Sequence, residues 1–414
     1  MRFHRETVTV EEAVRRLLAG AAPIGVEEVP LAEAHGRTLA RDCRADCDLP
    51  SFDRASLDGY AVRAADTAGA AVQSPVRLQV VGCLKAGDVP ARPINRGEAV
   101  RIMTGAMMPP GTDAVVMFEQ TESPGEWLDA VLIKRELRSG ENVARKGQEV
   151  SAGERVLAAG EQIGGGALAV LATFGMTPVP VYQKPRIGIL SIGDELVDPA
   201  LTPPPGKIRD SNAVMLCGLI HESGGIPVVC RRLPDDLQLA KDEIDRVLGQ
   251  VDLLVTTGGV SVGDKDIIAA LVDEPDVELL FNRVAMRPGS PTTAIRRCGR
   301  LICALSGNPG ACFTGFHLLV RPLLARLAGR GDATQLPSQK ALLICDYSKP
   351  CPYPRYVRGR LQLQETTLYA IPDGFDKSGM LRTLKDAECL IVIPPGGRGR
   401  AAGEIVEVIP FRLR

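Results

Sequence analysis

The chain has 414 residues, with 49 basic and 50 acidic side chains and a net charge of -1 at pH 7. This length predicts two to four domains, and the balanced charge argues against a nucleic-acid-binding face, which needs an excess of Lys and Arg. No run of about 18 apolar residues and no apolar N-terminal signal region occurs, so we expect a soluble, cytoplasmic protein without a membrane span.

The first 175 residues change in character along the chain. Residues 10–18 have helical spacing, with Thr9 and Glu12 as a predicted capping box. From about Leu78 to Val156, short apolar runs alternate with Gly and Pro turns, which is typical of a compact β domain. These runs cover residues 78–81, 99–102, 114–117 and 131–133. A helix is then predicted over residues 160–174.

From residue 186 to about 328, predicted strands and helices alternate. The strands cover residues 187–190, 228–231, 251–255, 277–281 and 301–305, and the helices cover residues 212–222, 237–248, 267–271 and a last segment from Ala311. This alternation predicts a doubly wound α/β domain. Beyond Gln335 the pattern is β again, up to residues 404–409.

We therefore expect a multidomain fold of the α/β plus β class. Its predicted parts are an N-terminal linker and helical domain (1–50 and 151–183), an inserted β domain (51–150), the α/β domain (184–330) and a C-terminal β domain (331–414). The eleven cysteines are scattered without a CxxC pair, so we expect reduced and buried thiols.

The most informative segment is residues 255–266, where an apolar strand runs into a Gly-rich loop. Glycines at this place allow backbone N–H groups to approach an anion closely. Asp264 and Asp266 could hold a metal ion that bridges to the anion. We therefore expect a phosphate or another tetrahedral oxyanion to bind here, although a simple tight turn is the alternative. The candidate binding residues of the loop are Gly258, Gly259, Ser261 and Gly263.

Further candidate residues, charged or in turns, follow the other predicted strands as well, and parallel strands would bring them to one edge of the sheet. They are Glu195, Asp235, Arg283, Arg287, Pro288, Ser306, Gly307, Asn308 and Pro309.

The mixture of charges at this edge predicts a cation. Carboxylates at Glu195, Asp235 and Asp266 would repel a phosphate unless Mg²⁺ stands between them. Arg283 and Arg287 could hold the remaining anionic oxygens. The turn at residues 306–309 could present backbone N–H groups to the same ligand.

Several of these residues also have a purely structural interpretation. Asp235 could cap a helix, Arg283 could be a solvated strand residue, and residues 306–309 could form a plain turn. Asp58 and Thr104 carry little signal alone, because Asp-Gly is a common turn dipeptide. The four histidines are separated in the sequence, so no His-based triad or metal site is predicted.

Together these motifs resemble the MoeA family of molybdopterin molybdenumtransferases, whose animal and plant relatives include the E domains of gephyrin-type proteins. The similar segments occur in the order of the family. They are residues 56–61, 101–106, 140–147, 193–196, 208–212, 258–263, 287–289, 306–309 and 378–381.

The resemblance implies an elongated homodimer of four-domain subunits. Such an enzyme takes adenylylated molybdopterin and molybdate, releases AMP and leaves molybdenum on the dithiolene, with Mg²⁺ assisting. The resemblance implies a transient contact with the molybdopterin adenylyltransferase and an active site completed across the dimer. The implied active-site positions are Asp58, Thr104, Glu195, Asp235 and Asp266.

The sequence also departs from the family pattern. Leu57 replaces a usual Met, Glu149 an Asp, and Arg283 and Arg287 stand where lysines are common. Ser290 stands in place of a common Lys, which removes one cation from the expected anion pocket and predicts weaker molybdate binding.

Two other functions stay open at this point. One is the upstream adenylyltransferase, which shares the α/β domain with its Gly-Gly loop. The other is a non-catalytic dimeric scaffold similar to the E domain of gephyrin. The motifs around Asp58 and Thr104 and the C-terminal β domain favour the molybdenum-inserting enzyme over the adenylyltransferase. The presence of Asp58, Glu195, Asp235 and Asp266 together argues against a non-catalytic scaffold.

Overall fold

The computed structural model describes residues 6–123, 129–259, 267–331, 336–374 and 377–411. None of the helices in these ranges has the length and apolar character needed to cross a membrane. The chain divides into two compact units. The smaller unit consists of Asp42–Ala158 and Gly166–Thr177, and the larger one of Met1–Arg41, Ala159–Gly165 and Pro178–Arg414. The finer division into four domains stays a prediction.

In the described part of the first 184 residues, two α-helices and a series of short strands occur. The helices are α1 (Val10–Ala19) and α2 (Gly165–Thr173). The strands are β1 (Val26–Val29), β2 (Cys43–Arg44), β3 (Arg54–Ala55), β4 (Gly59–Val62), β5 (Val76–Leu84), β6 (Glu98–Ile102), β7 (Ala114–Met117), β8 (Thr121–Glu122), β9 (Ala130–Ile133), β10 (Val143–Ala144), β11 (Arg155–Leu157) and β12 (Val179–Tyr182).

The two helices differ in how well the sequence predicts their beginnings. Helix α1 begins after Thr9 as predicted, because the Thr9 hydroxyl accepts the backbone N–H of Glu12 at 3.2 Å. Helix α2 begins five residues later than predicted. Gly160 has a φ of +91°, which no α-helix accommodates, and the Ile163 N–H donates to the carbonyl of Arg37 at 2.8 Å.

The smaller unit is built on a six-stranded sheet in the order β7-β4-β6-β5-β9-β8. The four predicted apolar runs occur in it as β5, β6, β7 and β9. Buried side chains such as Leu78, Val116 and Val131 form its core. Strand β4 lies between β7 and β6, so this sheet fixes the position of Asp58, the residue directly before β4.

The central part of the chain alternates strands and helices. The strands are β13 (Arg186–Ile192), β14 (Leu196–Val197), β15 (Ile208–Arg209), β16 (Ile226–Leu233), β17 (Leu253–Thr257), β18 (Val277–Phe281), β19 (Thr293–Arg297) and β20 (Arg300–Leu305). The helices are α3 (Ser211–Glu222), α4 (Leu237–Leu248), α5 (Ile267–Val272), α6 (Pro309–Gly315) and α7 (Arg321–Leu327), with a π-helical turn at Phe316–Val320.

Six of these strands form one sheet in the order β16-β13-β17-β20-β19-β18. The first four are parallel. Strand β19, which the sequence analysis missed, is antiparallel to both β20 and β18. It forms a hairpin with β20 through Cys298 and Gly299, both of which have positive φ. The rest of the predicted α/β pattern is confirmed.

Helices cover both faces of this sheet, and successive strand residues point to opposite faces. In β17, Leu253 and Val255 pack in the same core cluster as Leu216 of α3, whereas Leu254 packs with Ile244 of α4. The near-continuous apolar character of the parallel strands follows from this burial on both faces. The predicted doubly wound architecture is therefore confirmed.

The C-terminal part forms a closed barrel in the order β21-β23-β22-β24-β25. Its strands are β21 (Gln339–Leu343), β22 (Arg355–Gln364), β23 (Thr367–Pro372), β24 (Cys389–Ile393) and β25 (Ile405–Pro410). Val357, Ile391 and Val408 lie in its buried core. The predicted C-terminal β domain is confirmed, and closure into a barrel removes exposed strand edges.

The prediction that the cysteines are buried is correct for only some of them. All eleven thiols are free. Four of them are buried, Cys43, Cys303, Cys312 and Cys389, whereas Cys47, Cys83, Cys230, Cys298 and Cys345 are exposed. Cysteine composition alone does not specify which strand face or loop a thiol occupies.

Candidate active site

Five strands of the central sheet end at one edge. Strands β13, β16, β17 and β20 are parallel, and β18 has the same direction because β19 is antiparallel to both β18 and β20. The segments after these strands contain all the described candidate residues of the α/β domain. In open α/β sheets, ligands bind at this carboxyl edge.

The loops after β13 and β16 place two candidate carboxylates on neighbouring segments. The Gly193 N–H donates to the carbonyl of Leu233 at 3.0 Å, and the Asp235 N–H donates to Oδ1 of Asp194 at 3.1 Å. Glu195 is exposed and Asp235 is half-buried. Both side chains are therefore accessible from the solvent side of the edge.

Asp236, and not Asp235, caps helix α4. The Asp236 carboxylate accepts the backbone N–H of Leu239 at 2.9 Å. The interpretation of Asp235 as a helix cap is therefore wrong. Its side chain is left outside the cap, next to the loop that carries Glu195.

The described carboxylates fit a magnesium ion that takes only some of its ligands from the protein. Glu195 and Asp235 offer the oxygen donors that Mg²⁺ prefers, and Asp266, the third expected ligand, lies outside the described residues. Among the residues that the structure describes, no three His, Cys, Asp or Glu side chains are grouped as a metal cage. The donor set thus fits an ion held by one or two carboxylates together with water and substrate phosphate.

Gly258 and Gly259 form a turn at the end of β17. Their φ angles are +82° and +66°, a region that side-chain-bearing residues avoid. A Cβ at Gly258 would overlap the carbonyl oxygen of Ile192 at the end of β13, and the Gly258 N–H donates to the carbonyl of Leu305 at 3.2 Å. The turn lies tightly between the two neighbouring strands.

The remaining candidates of the same loop, Ser261, Gly263 and Asp266, lie outside the described residues.

The turn after β20 leads directly into helix α6. Pro309 is the first residue of α6, where its missing N–H costs no helical hydrogen bond. The Asn308 N–H lies 3.4 Å from Oγ of Ser306. A Cβ at Gly307 would lie 3.4 Å from Cα of Gly258. The segment is a strand-to-helix turn, and it packs against the glycine turn.

The segment after β18 carries the two candidate cations. Arg283 is half-buried and Arg287 is exposed. The carbonyl of Arg283 accepts the backbone N–H of Val8 at 3.0 Å. Arg287 forms a parallel bridge with Arg355 of the C-terminal barrel, and the next residue, Pro288, is half-buried. Contacts from outside the α/β domain therefore fix the backbone of both arginines.

Ser290 does not face an open pocket. Its side chain is only 3% exposed, and its hydroxyl donates to the carbonyl of Val284 at 2.8 Å. The expectation that the residue at this position faces the oxyanion is wrong in this geometry. The hydroxyl stabilises the Arg283–Pro288 segment from inside.

Asp58 and Thr104 lie in the smaller unit and contact each other. The backbone N–H and the hydroxyl of Thr104 donate to Oδ1 of Asp58 at 2.7 and 2.8 Å. These two bonds, together with the nearby charge of Arg101, hold the pKa of Asp58 below its ordinary value. Both side chains are exposed, so an ionised carboxylate and a hydroxyl are presented together at the surface.

Arg358 is a buried arginine beside the start of α6 for which the sequence predicts no role. Arg358 is 1% exposed and its Nε donates to the hydroxyl of Thr383 at 3.1 Å. A Cβ at Gly310 would overlap its guanidinium, and the Gly310 N–H donates to the carbonyl of Ser378 at 2.7 Å. No sequence signal marks Arg358, because arginines in strands are usually exposed.

Four buried polar atoms near this edge have no hydrogen-bond partner among the described residues. They are Ser191 Oγ, Thr256 Oγ1, Asp210 Oδ2 and Asn212 Oδ1. The first two belong to the next-to-last residues of β13 and β17, and the other two belong to the N-cap and the second residue of α3. Buried polar atoms normally have a partner, so these four have hydrogen-bonding capacity left for water or a ligand.

A cavity of about 960 Å³ lies elsewhere, between the outer face of α3 and the C-terminal barrel. Its lining is mostly apolar, with Met215, Phe313, Leu361 and Phe411 among the contributing side chains. None of the described candidate residues lines it. The strand ends, and not this cavity, therefore define the candidate site.

Three family models match the chain. They are the MoeA N-terminal region (domain I and II) at residues 8–175, the probable molybdopterin binding domain at residues 188–326 and the MoeA C-terminal region (domain IV) at residues 340–411. The molybdopterin molybdenumtransferase of Bacillus subtilis (strain 168) is 40% identical over 409 residues, which cover 99% of this chain and 95% of that relative. The chain belongs to the molybdopterin molybdenumtransferase family.

Other members of the molybdopterin molybdenumtransferase family are similar over their full length. The enzyme of that name from Staphylococcus aureus (strain MRSA252) is 38% identical over 407 residues, covering 98% of this chain and 96% of the relative. The crystal structure of the molybdopterin biosynthesis MoeA protein from Pyrococcus horikoshii has a TM-score of 0.84 at 33% identity, covering 99% of this chain and 100% of that one. The predicted family and multidomain fold class are confirmed.

Proposed function

We propose that the protein transfers molybdenum from molybdate to adenylylated molybdopterin at the carboxyl edge of its central sheet and releases AMP. One observation carries this proposal: the match to the molybdopterin molybdenumtransferase of Bacillus subtilis covers 99% of the chain. The match includes the N-terminal and C-terminal regions, which favours the inserting enzyme over the adenylyltransferase. The adenylylated form of the substrate and the release of AMP rest on the sequence resemblance.

In this proposal the glycine turn binds the phosphate of the substrate. The Gly258 N–H already donates to the Leu305 carbonyl, so the backbone N–H groups of Gly259 and Gly307 are the proposed donors to the anion. Ser261 and Gly263 extend the same loop in the sequence. Close contact of this kind needs no side chain, which agrees with the glycines at these positions.

The oxyanion and the remaining phosphate oxygens need positive charge and further N–H donors. Arg283 and Arg287 supply guanidinium groups, whose forked donors suit tetrahedral oxyanions. Pro288 holds the backbone next to Arg287. The turn of Ser306, Gly307, Asn308 and Pro309 offers backbone groups beside the glycine turn.

We propose that Mg²⁺ assists the reaction and that Glu195, Asp235 and Asp266 hold it. When bound, the ion offsets the repulsion between these carboxylates and the phosphate and polarises a phosphoryl oxygen. The three carboxylates then act as ligands and not as general bases, because three acids near a phosphate are tolerable only around a cation.

We also propose a homodimer in which Asp58 and Thr104 of one subunit serve the substrate site of the other subunit. The support is the family resemblance and the fact that both residues belong to the smaller unit, not to the α/β domain. An ionised Asp58 can accept hydrogen bonds from the substrate, and Thr104 holds it in one orientation. The cytoplasmic location and the transient contact with the adenylyltransferase stay predictions.

One pair of incubations tests the proposed function. With adenylylated molybdopterin, molybdate and Mg²⁺, the protein should release AMP and form molybdenum-bearing molybdopterin. With molybdopterin and Mg-ATP alone, it should form no adenylylated product. Accumulation of adenylylated molybdopterin in the second incubation would identify an adenylyltransferase, and the absence of turnover in both would favour a scaffold.

A further inference from the structure

The residue at the second position of α3, Asn212, has no part in the proposed function so far. Its side chain is buried, with 8% of its surface exposed. Its Nδ2 group donates to Oγ1 of Thr257 at 2.9 Å and to the carbonyl of Gly307 at 2.8 Å. The Thr257 hydroxyl donates in turn to the carbonyl of Ser306 at 3.2 Å. One amide group thus joins the end of β17 to the turn after β20.

This link lies where the pairing of the two strands ends. The last aligned pair of β17 and β20 is Thr257 with Leu305, followed by the hydrogen bond from the Gly258 N–H to the Leu305 carbonyl. Beyond this point the backbones diverge into the glycine turn and the 306–309 turn, which contact each other at Gly258 and Gly307. The Asn212 amide extends the connection past the end of the backbone ladder.

Asp210 caps the first turn of α3, on which Asn212 lies. The Asp210 carboxylate is 2% exposed and caps α3 by accepting the Ala213 N–H at 3.0 Å. Its own N–H donates to the carbonyl of Val197 at 3.0 Å. The first turn of α3 is therefore anchored to strand β14, which fixes the position of the backbone that carries the Asn212 amide.

We propose that Asn212 is a positioning residue that sets the spacing between the Gly258–Gly259 turn and the 306–309 turn. This positioning role rests on the proposed function, in which these two turns bind the anionic substrate. A buried amide that donates to two acceptors fixes both segments before the substrate arrives. Residues behind a binding site commonly preorganise it in this way, by holding the residues that contact the ligand. Asn212 acts through these turns and not on the reacting atoms.

Three variants test this role. Asn212→Ala removes the amide, and Asn212→Asp keeps its size but replaces both N–H donors by a carboxylate oxygen that faces the Gly307 carbonyl. Val214→Ala is the matched control on the same helix, because Val214 is 62% exposed. Circular dichroism and thermal unfolding establish which variants are folded.

The first readout is amide hydrogen exchange by mass spectrometry without substrate. Exchange in peptides that cover residues 253–259 and 300–308 should become about ten-fold faster in both Asn212 variants, as expected when two buried hydrogen bonds are lost. Exchange in the sheet of the smaller unit should stay unchanged in every variant, and all peptides should exchange normally in Val214→Ala. Unchanged exchange of both turns in a folded Asn212 variant would overturn the proposal.

The second readout is the steady-state rate with adenylylated molybdopterin and molybdate. Loosened turns should raise KM for the adenylylated substrate about ten-fold in Asn212→Ala, with the shape of the pH profile unchanged, because this variant adds no titratable group. A changed pH profile with normal KM would contradict a positioning role. If the unsubstituted protein shows no turnover while exchange still responds to Asn212, the proposed function fails and the positioning role stands.

Discussion

The backbone N–H and the hydroxyl of Thr104 both donate to the same carboxylate oxygen of Asp58, at 2.7 and 2.8 Å. The two residues are 46 positions apart, and the sheet of the smaller unit brings them together. Because both hydrogen bonds favour the charged form, the pKa of Asp58 lies below its ordinary value. Asp58 is therefore ionised throughout the neutral range.

Thr104→Val should raise the pKa of Asp58 toward its ordinary value, because one of the two hydrogen bonds is removed. The stability that these bonds contribute is present above the pKa of an unfolded aspartate, and it is lost as the pH falls through the lower folded-state pKa. A carboxylate-observed NMR titration measures the change, with Thr112→Val as a control in the same unit. An Asp58 pKa that is the same in the variant would show that the hydroxyl does not stabilise the charge.

Asp235→Asn should increase the Mg²⁺ concentration needed for half-maximal activity by about ten-fold, because one of the proposed ligands is lost. The neighbouring Asp236→Ala is the matched control. It should lower the free energy of unfolding by about 1 kcal/mol, through loss of the α4 cap, and leave the Mg²⁺ requirement unchanged. Full activity of the unsubstituted protein in excess chelator would exclude the proposed role of the ion.

Ser290→Lys should destabilise the protein and not improve molybdate binding. A lysine there would place an ammonium group in a buried position and remove the hydrogen bond to Val284, and an unpaired buried charge is strongly unfavourable. Ser290→Ala, which loses only the hydrogen bond, should cost about 1 kcal/mol. Chemical denaturation compares the two variants. A folded Ser290→Lys variant with a lower molybdate requirement would show that this side chain does reach the oxyanion.

Mixed dimers of Asp58→Ala and Glu195→Ala protomers should recover part of the activity that each variant lacks alone. The reason is that one of the two substrate sites in such a dimer would contain both native residues if the site is shared between subunits. Differently tagged protomers and two-step affinity purification isolate the mixed dimers. No recovery in purified mixed dimers would contradict a site shared across the dimer.

Much of the fold could be predicted from the sequence because the α/β domain has strong periodic patterns. Helix α4 occurs over the predicted residues 237–248, where apolar spacing and an Asp cap agree. Strand β19 was missed because Arg296 and Arg297 interrupt its apolar pattern, and pairing with β18 and β20 stabilises it. Local sequence carries no record of such a partner.

The candidate site could be predicted in part, for a similar reason. Residues that follow parallel strands converge by topology, so Glu195, Asp235 and Gly258 could be assigned to one edge without coordinates. The pairing of Thr104 with Asp58 depends on a contact between segments 46 positions apart. The inward orientation of Ser290 depends on a turn in which its hydroxyl donates to the Val284 carbonyl. A resemblance of motifs gives positions, but it does not give the direction in which a side chain points.

The most direct test of the account measures AMP and molybdopterin-bound molybdenum in the same reaction, with adenylylated molybdopterin, molybdate and Mg²⁺. For the unsubstituted protein we expect the two products in equal amounts, and for a folded Glu195→Gln variant we expect both to fall by about ten-fold or more. AMP release without molybdenum on molybdopterin, or undiminished formation of both products by Glu195→Gln, would contradict molybdenum insertion at this edge of the sheet.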